Sequence, residues 1–492
     1  SIKMKLLFLF LFNVFCLMLQ AKVWHVGPNR DYTRPSQVSS LVDHGDTVYI
    51  DPGVYDNDAC KWNKNKLKLI GIVGDNGRPV LRYEGYVPND KGIWVFDNPG
   101  SSDDIYIANL IFDGARVPDN KGKNGAGIRF QANNLTVENC LFRNCQTGIL
   151  EGHGAVKTSN VIIRGCEFFD NGYSGYEHHV YINASTDTLV IENCYLHRPR
   201  GEGNSIKTRA QNAYILFNFI DEEDGNGSYE INIAQGGNNI IMGNVIVQGT
   251  SGGNHAIVGY DEALNEQEDF YFINNTVINR FPGHCRYFNI APATGIATFR
   301  VYNNVFASVP TASHTFISGN VPAVLDSAAN YFATDYTQVG FVDPDQGDYS
   351  IHGAASGLIN QGVAAGTDKH GYPLVPDSMY QGIGKQLLPR IIHGQAIDLG
   401  AYEYATTEKA ATIHPLVSVF PNPNTGTFEI RVNPVSKSLP KIYNSAGMKV
   451  DAGISASQEG MIRVCLSGAF PGIYYVVFVS ENGSTSVPVM VY

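Results

Sequence analysis

Charge is scarce in this 492-residue chain: 16% of the residues are Asp, Glu, Lys or Arg, and the formal net charge is -11. That balance gives no support for nucleic-acid binding. The overall field also repels an anionic substrate, which therefore needs a local basic site. Eight cysteines occur, but no CxxC and no paired Cys/His motif, which argues against a structural zinc site. Tryptophan is rare, with 3 residues, whereas Gly (51), Tyr (27) and Phe (25) are abundant. Long helical periodicity is missing. Apolar runs of membrane-spanning length are also missing beyond the first 21 residues. What remains is a β-rich composition typical of extracellular proteins.

Lys3 and Lys5 precede LLFLFLFNVFCLMLQA, ending at Ala21. A charged start, an apolar stretch and a small residue predict a cleaved secretory signal peptide over 1–21. A membrane anchor fits less well, because the run is short and Asn13 interrupts it. No transmembrane segment is expected in the mature protein. Beyond the leader stand Cys60, Cys140, Cys145, Cys166, Cys194, Cys285 and Cys465, an odd number that argues against a complete disulfide framework.

The remaining length exceeds one ordinary core, and a repeat accounts for it. The segments YIANLIF, LTVENCLF, VIIRGCEF, LVIENCYL, YILFNFI, IIMGNVI, YFINNTVI and RVYNNVF align on Leu110, Cys140, Cys166, Cys194, Asn218, Asn244, Asn275 and Asn304. By subtraction the anchors are 30, 26, 28, 24, 26, 31 and 29 residues apart. Short strands broken by Gly, Asn and Asp at this period predict an all-β fold, a single-stranded right-handed parallel β-helix over 22–404. Asn anchors would hydrogen-bond rung to rung, and Cys anchors would fill small apolar space. HGDTVYIDPGVY near the start resembles the capping opening of pectate-lyase-like β-helices. GLINQG (357–362), DKHGYP (368–373) and IDLGAYEY (397–404) resemble how such proteins close.

After a linker at 405–412, FPNPNTGTF and PGIYYVVF lie among alternating strands with Asn/Gly turns, which predicts a small immunoglobulin-like β-sandwich over 413–492. These phrases resemble the C-terminal sorting domain of type IX secretion. The resemblance implies the type IX secretion machinery as a partner. It also implies export through the periplasm of a Gram-negative-type bacterium to the cell surface or medium.

Chemistry is expected where Val180–Asn183, Ser205–Arg209 and Tyr229–Ile233 form neighbouring strands. Alternation, with Val180, Ile182, Ile206, Ile231 and Ile233 inward, turns His179, Tyr181, Asn183, Lys207, Arg209, Glu230 and Asn232 outward. Lys207 and Arg209 share a face and repel, which depresses the lysine pKa and makes it a better base. Arg209 suits a bidentate hold on a uronate carboxylate. Tyr181 or His179 can supply the leaving-group proton. Tyr229 reaches this face only if a bulge redirects it. Arg129, Asn183, Asn232, Tyr176 and Tyr260 are candidate substrate-binding residues. Trp62, Trp94, Tyr173 and Tyr287 are further aromatics that could stack on sugar, although packing is the commoner use of such side chains. A plain salt-bridge ladder of Lys207, Arg209 and Glu230 is the competing structural reading.

The segment NSIKTRAQNAYILFN followed by GSYEINIAQGGNN resembles the alginate-lyase and chondroitinase-B type of polysaccharide lyase, with Lys207 at the catalytic lysine. Ala234 or Gln235 stands where that family has its arginine, and Glu202 is the one acid near the place of its calcium ligands. DEEDGNGS (221–228) offers Asp221, Glu223 and Asp224 as a separate candidate Ca2+ loop, although its spacing is not that of an EF-hand. EGHG (151–154) shares GHG with polygalacturonases but lacks their paired aspartates, so His153 is read as a turn residue. The expectation is a monomeric, secreted lyase acting on an acidic polysaccharide by β-elimination. A C5-epimerase and a non-catalytic glycan-binding β-helix are the alternatives.

Overall fold

The computed structural model describes residues 21–75, 77–404, 416–420, 426–433, 439–444, 449–456, 461–466, 472–480 and 483–491. All of the expected leader except Ala21, and the expected linker, lie outside the described residues.

Three long parallel sheets of 12, 10 and 11 strands wrap residues 23–333 into a β-solenoid. Successive strands in the chain belong to successive sheets, so each strand pairs with the strand one turn away. Parallel crossovers of this kind are right-handed. The short helix Pro35–Ser39 plugs the first turn with Val38, as the opening segment predicts.

The corner between the 12- and 11-stranded sheets holds the predicted anchors. There the residue before each anchor turns left-handed, as at Asn139 (φ 48°), Asn193 (φ 55°) and Asn274 (φ 50°). The next side chain then points into the coil. The Cys140 N–H donates to Cys166 Sγ at 3.4 Å, and the Cys194 N–H to Asn218 Oδ1 at 2.9 Å. From Asn218 onward each Asn Oδ1 accepts both the backbone N–H and the side-chain Nδ2 of the previous rung, through Asn244, Asn275 and Asn304. The ladder runs one rung further than the sequence alignment, to Asn330. All six β-solenoid cysteines are free and buried. Within the coil, Phe112, Phe142 and Phe168 stack face to face with centroids 4.9 Å apart, and Trp62 and Trp94 continue the aromatic file.

The chain closes by folding residues 357–404 back on that corner. Arg390, fully buried, is held by Glu403 Oε2 at 3.0 Å and donates to the carbonyls of Asp398, Gly400 and Tyr402. Asn274 Nδ2 and the Gly400 N–H tie the clasp to the rungs. Beyond the solenoid, two four-stranded antiparallel sheets enclose Phe428, Ile430, Ile442, Val464, Val476 and Val489, as a small sandwich requires. No helix among the described residues is long and apolar enough to cross a membrane.

Asn275→Ala removes the acceptor of the Asn244 N–H and the donor to Ile241 O, leaving both groups buried. The expected cost is about 3 kcal/mol, at about 1–3 kcal/mol per orphaned group. Asn160→Ala, on an exposed site, is expected to change stability by less than about 0.5 kcal/mol. Urea denaturation of both variants checks the contrast.

Candidate active site on the ten-stranded sheet

The outward face of the ten-stranded sheet is read from its register. Arg129 pairs with Leu150, Leu150 with Tyr181, Tyr181 with Lys207, Lys207 with Asn232, Asn232 with Gly259, and Gly259 with Asn289. Strands lie about 4.8 Å apart, so this column is one continuous surface track. On either side of it run inward columns, Val180–Ile206–Ile231 and Ile182–Thr208–Ile233, all fully buried.

Tyr181 sits at the centre of the cationic part of the track. Lys207 Nζ lies 5.5 Å and the Arg209 guanidinium 5.4 Å from its ring centroid. Arg209 Nη1 also donates to the Tyr181 phenol oxygen. Burial, then Arg209, lowers the Lys207 pKa, and Asp261 opposes the shift. Lys207 has no ion pair among the described residues, so a salt-bridge ladder does not form. Burial likewise lowers the Arg129 pKa against the opposing pull of Glu151 and Asp97.

His178, not His179, belongs to this cluster. His179 points into the coil, where Asn171 Nδ2 lies 3.0 Å from its Nδ1 and Phe168 flanks the ring. Strict alternation fails here because the strand begins only at Val180. His178 stands edge-on to Tyr181, with ring centroids 5.4 Å apart, and its Nδ1 accepts the Asn204 N–H at 2.9 Å. That bond leaves the neutral ring's proton on Nε2. Burial, with Lys207 adding to it, holds the His178 pKa well below its ordinary value. The His178 Nε2, Arg209 Nε and Arg129 Nε atoms are buried, and none has a hydrogen-bond partner among the described residues.

Other expected positions fall elsewhere. Glu230 is 4% exposed and faces inward beside Ile231, so two consecutive residues turn into the core. Alternation breaks here without a shift of register, and Tyr229 turns outward instead, where its phenol oxygen accepts Asn289 Nδ2 at 2.8 Å. Tyr260 is also interior, donating to Glu268 Oε2 at 2.6 Å, and Trp62, Trp94 and Tyr287 are core residues. Tyr176 is 75% exposed on a loop, 5.7 Å below Lys123. Asn232 stays on the track and donates to Asp261 at 3.0 Å. Asn183 shapes the adjoining turn, accepting the Ala184 N–H, while its own N–H donates to Glu151 Oε2. His153 is a turn residue, 3.0 Å from Asn133 Oδ1.

The acid-rich turn does not converge on a cation. Asp221 is buried and caps the Glu223 N–H, and Glu223 binds Tyr195 Oη and His197 Nδ1. Asp224 is exposed, 3.9 Å from Arg198 and 3.8 Å from Arg200. Among the described residues no three His, Cys, Asp or Glu side chains come together to hold a metal.

Residues 89–220 match the family model described as the right handed beta helix region, and residues 418–491 match the secretion system C-terminal sorting domain. The chain is an exported β-helix protein. The sorting domain directs type IX export to the cell surface or extracellular space in Gram-negative-type bacteria. No curated protein matches the chain. Among solved structures it is similar to the crystal structure of pectate lyase Pel9A, at 16% identity and a TM-score of 0.41, covering 78% of this chain and 96% of that one. That likeness is too distant to carry chemistry over.

One more cluster lies beneath this exported protein's track. Burial raises the Glu222 and Glu230 carboxyls well above the ordinary carboxylate value of 4.5, with Asp221 adding to the shift of Glu222 and Glu222 to that of Glu230, and Cys285 beside them. At these two groups the folded state therefore binds more protons than the unfolded one once pH passes that value, and their contribution to stability falls as pH rises through the neutral range. Glu222→Gln is expected to flatten this decline between about pH 5 and about pH 8. Denaturant midpoints measured across that range check it; a slope unchanged by the substitution contradicts a raised Glu222 carboxyl.

Proposed function

We propose that the track binds a uronate-containing glycan and cleaves it by β-elimination. The observation that carries this reading is the set of three buried N–H donors, on Arg129, His178 and Arg209, without acceptors around Tyr181. Buried donors are ordinarily satisfied. An anionic oxygen ligand supplies what they lack, and a planar carboxylate suits a guanidinium fork.

The chemistry follows from the same side chains. The desolvated Lys207, with its lowered pKa, takes the proton from C5 of the uronate. Arg209 neutralises the carboxylate and so stabilises the charge that develops at C5. The C4–O bond breaks as the C4=C5 bond forms. The Tyr181 phenol, whose oxygen already accepts from Arg209, has its own proton to give to the departing oxygen. The lysine ends the step protonated, and the tyrosine recovers its proton from solvent.

Glycan binding without chemistry is the second reading, favoured by one observation. A cavity of about 920 Å³ lies between the outer face of the twelve-stranded sheet, around Tyr49, Lys68, Tyr106 and Tyr214, and Ile473, Tyr475 and Val491 of the C-terminal sandwich. The Lys207 cluster is not part of it.

Ultraviolet absorbance of the unsaturated uronate separates the two. Across a panel of uronate polymers, the lyase reading predicts a rise that Lys207→Ala slows by about 10²- to 10⁴-fold in kcat. Arg209→Lys, keeping charge but losing the fork, is expected to cost roughly tenfold in kcat/KM. A flat trace with retained glycan binding favours the second reading. Loss of binding as well overturns both.

A further inference from the structure

Two rungs beyond Lys207 the track changes character. Tyr229, turned outward where alternation breaks, lays its ring over Gly259. A Cβ on Gly259 would stand 2.8 Å from Tyr229 Cζ, closer than real side chains approach, and 3.0 Å from Asn232 Nδ2, so any other residue would displace the ring from this seat. The phenol is held from the far side by Asn289 Nδ2 at 2.8 Å, and Asn289 Oδ1 in turn accepts Ser318 Oγ at 2.9 Å. Asn232 donates to Asp261 Oδ2 at 3.0 Å on the near side. Tyr229 is half-buried, with its lower side against the sheet.

An aromatic ring fixed along a flat sheet and rimmed by amides and a carboxylate is the chemistry that holds a sugar. The ring meets the apolar C–H face, and the rim meets the hydroxyls. Register separates Gly259 from Lys207 by two strand spacings, about 9.6 Å, on one uninterrupted column. A sugar bound over Lys207 and one stacked on Tyr229 can therefore belong to the same chain, whereas a single sugar cannot occupy both places.

We propose that Tyr229, seated on Gly259 and rimmed by Asn232, Asn289 and Asp261, is a sugar-stacking subsite for a second ring of the glycan whose uronate sits over Lys207. The inference rests on the proposed function for the occupant of the Lys207 end, but not on whether that end is catalytic.

The test is calorimetric binding of monouronates and of oligouronates of increasing length to the full chain carrying Lys207→Ala, which prevents turnover. In that background Tyr229→Ala is expected to weaken binding of the longer oligomers roughly tenfold, corresponding to about 1.4 kcal/mol, and to leave the monouronate unchanged. Tyr229→Phe keeps the ring and should retain most of the affinity. Gly259→Ala, which pushes the intact ring off its seat, should reproduce the length-dependent loss; it serves as the second probe if Tyr229→Ala fails to fold. Equal affinity at every length in both variants overturns the subsite. A length-dependent loss in the Lys207→Ala background, when the native chain yields no ultraviolet product from the same oligomers, supports the subsite while sinking the lyase reading. Failure of every uronate to bind the Lys207→Ala parent, and the native chain too, overturns both.

Discussion

The side-chain ladder at one corner of the coil is the constraint on which the rest depends. Each Asn Oδ1 accepts two hydrogens from the preceding rung, and this bond forms only when successive turns are stacked in step. A one-residue slip in any strand would exchange inward and outward faces. By fixing the step, the ladder and the Cys140–Cys166–Cys194 stack that leads into it fix which side chains share the outward track. Tyr181, Lys207 and Asn232 come from separate turns of the chain, yet they are register neighbours. Changes in turn length are absorbed in the loops flanking the ten-stranded sheet, where backbone conformations are irregular.

The electrostatics of the track are local and opposed to those of the molecule. A chain with a net charge of -11 does not attract a polyanion, but Arg129, Lys207 and Arg209 gather around one tyrosine. Concentrating cations costs solvation, which the lowered pKa values of Lys207 and Arg129 register. Nothing in the fold needs this arrangement: the solenoid core is complete beneath it, and the buried donors remain unsatisfied. A cost that stability does not require points to binding. Acidic side chains elsewhere are used differently. Glu223 is drawn down to about 2, chiefly by His197, as part of a surface charge network. Glu151 is raised to about 7 by burial while it ties the turn at Ser185 and Thr186 together.

Most of the fold was legible because it rests on period and composition. The recurrence of NC, GC and NN dipeptides marks the corner, and Asn330 was missed because the strand before it, Leu325–Ala328, has a single large apolar residue. The site was legible where alternation holds, at Tyr181, Lys207 and Asn232. It failed where alternation stops. Two consecutive buried residues, Glu230 and Ile231, exchanged Glu230 for Tyr229 without a shift of register, and the late strand start at Val180 exchanged His179 for His178. Glycine at 259 carried the one signal for the first exchange, since a strand interior without a side chain marks a close approach. The acid-rich turn misled for another reason: its carboxylates were already committed to Tyr195, His197, Arg198 and a backbone N–H. No spacing rule reveals such partners, which arrive from the preceding rung.

The central claim is that an acidic sugar binds at the Arg129–Lys207–Arg209 cluster, and a crystal structure of the Lys207→Ala protein soaked with an oligouronate tests it most directly. The account predicts a carboxylate within hydrogen-bond distance of Arg209, with His178 Nε2 or Arg129 Nε also engaged. Glycan seated in the cavity on the twelve-stranded sheet, with the cluster left uncontacted, would contradict it.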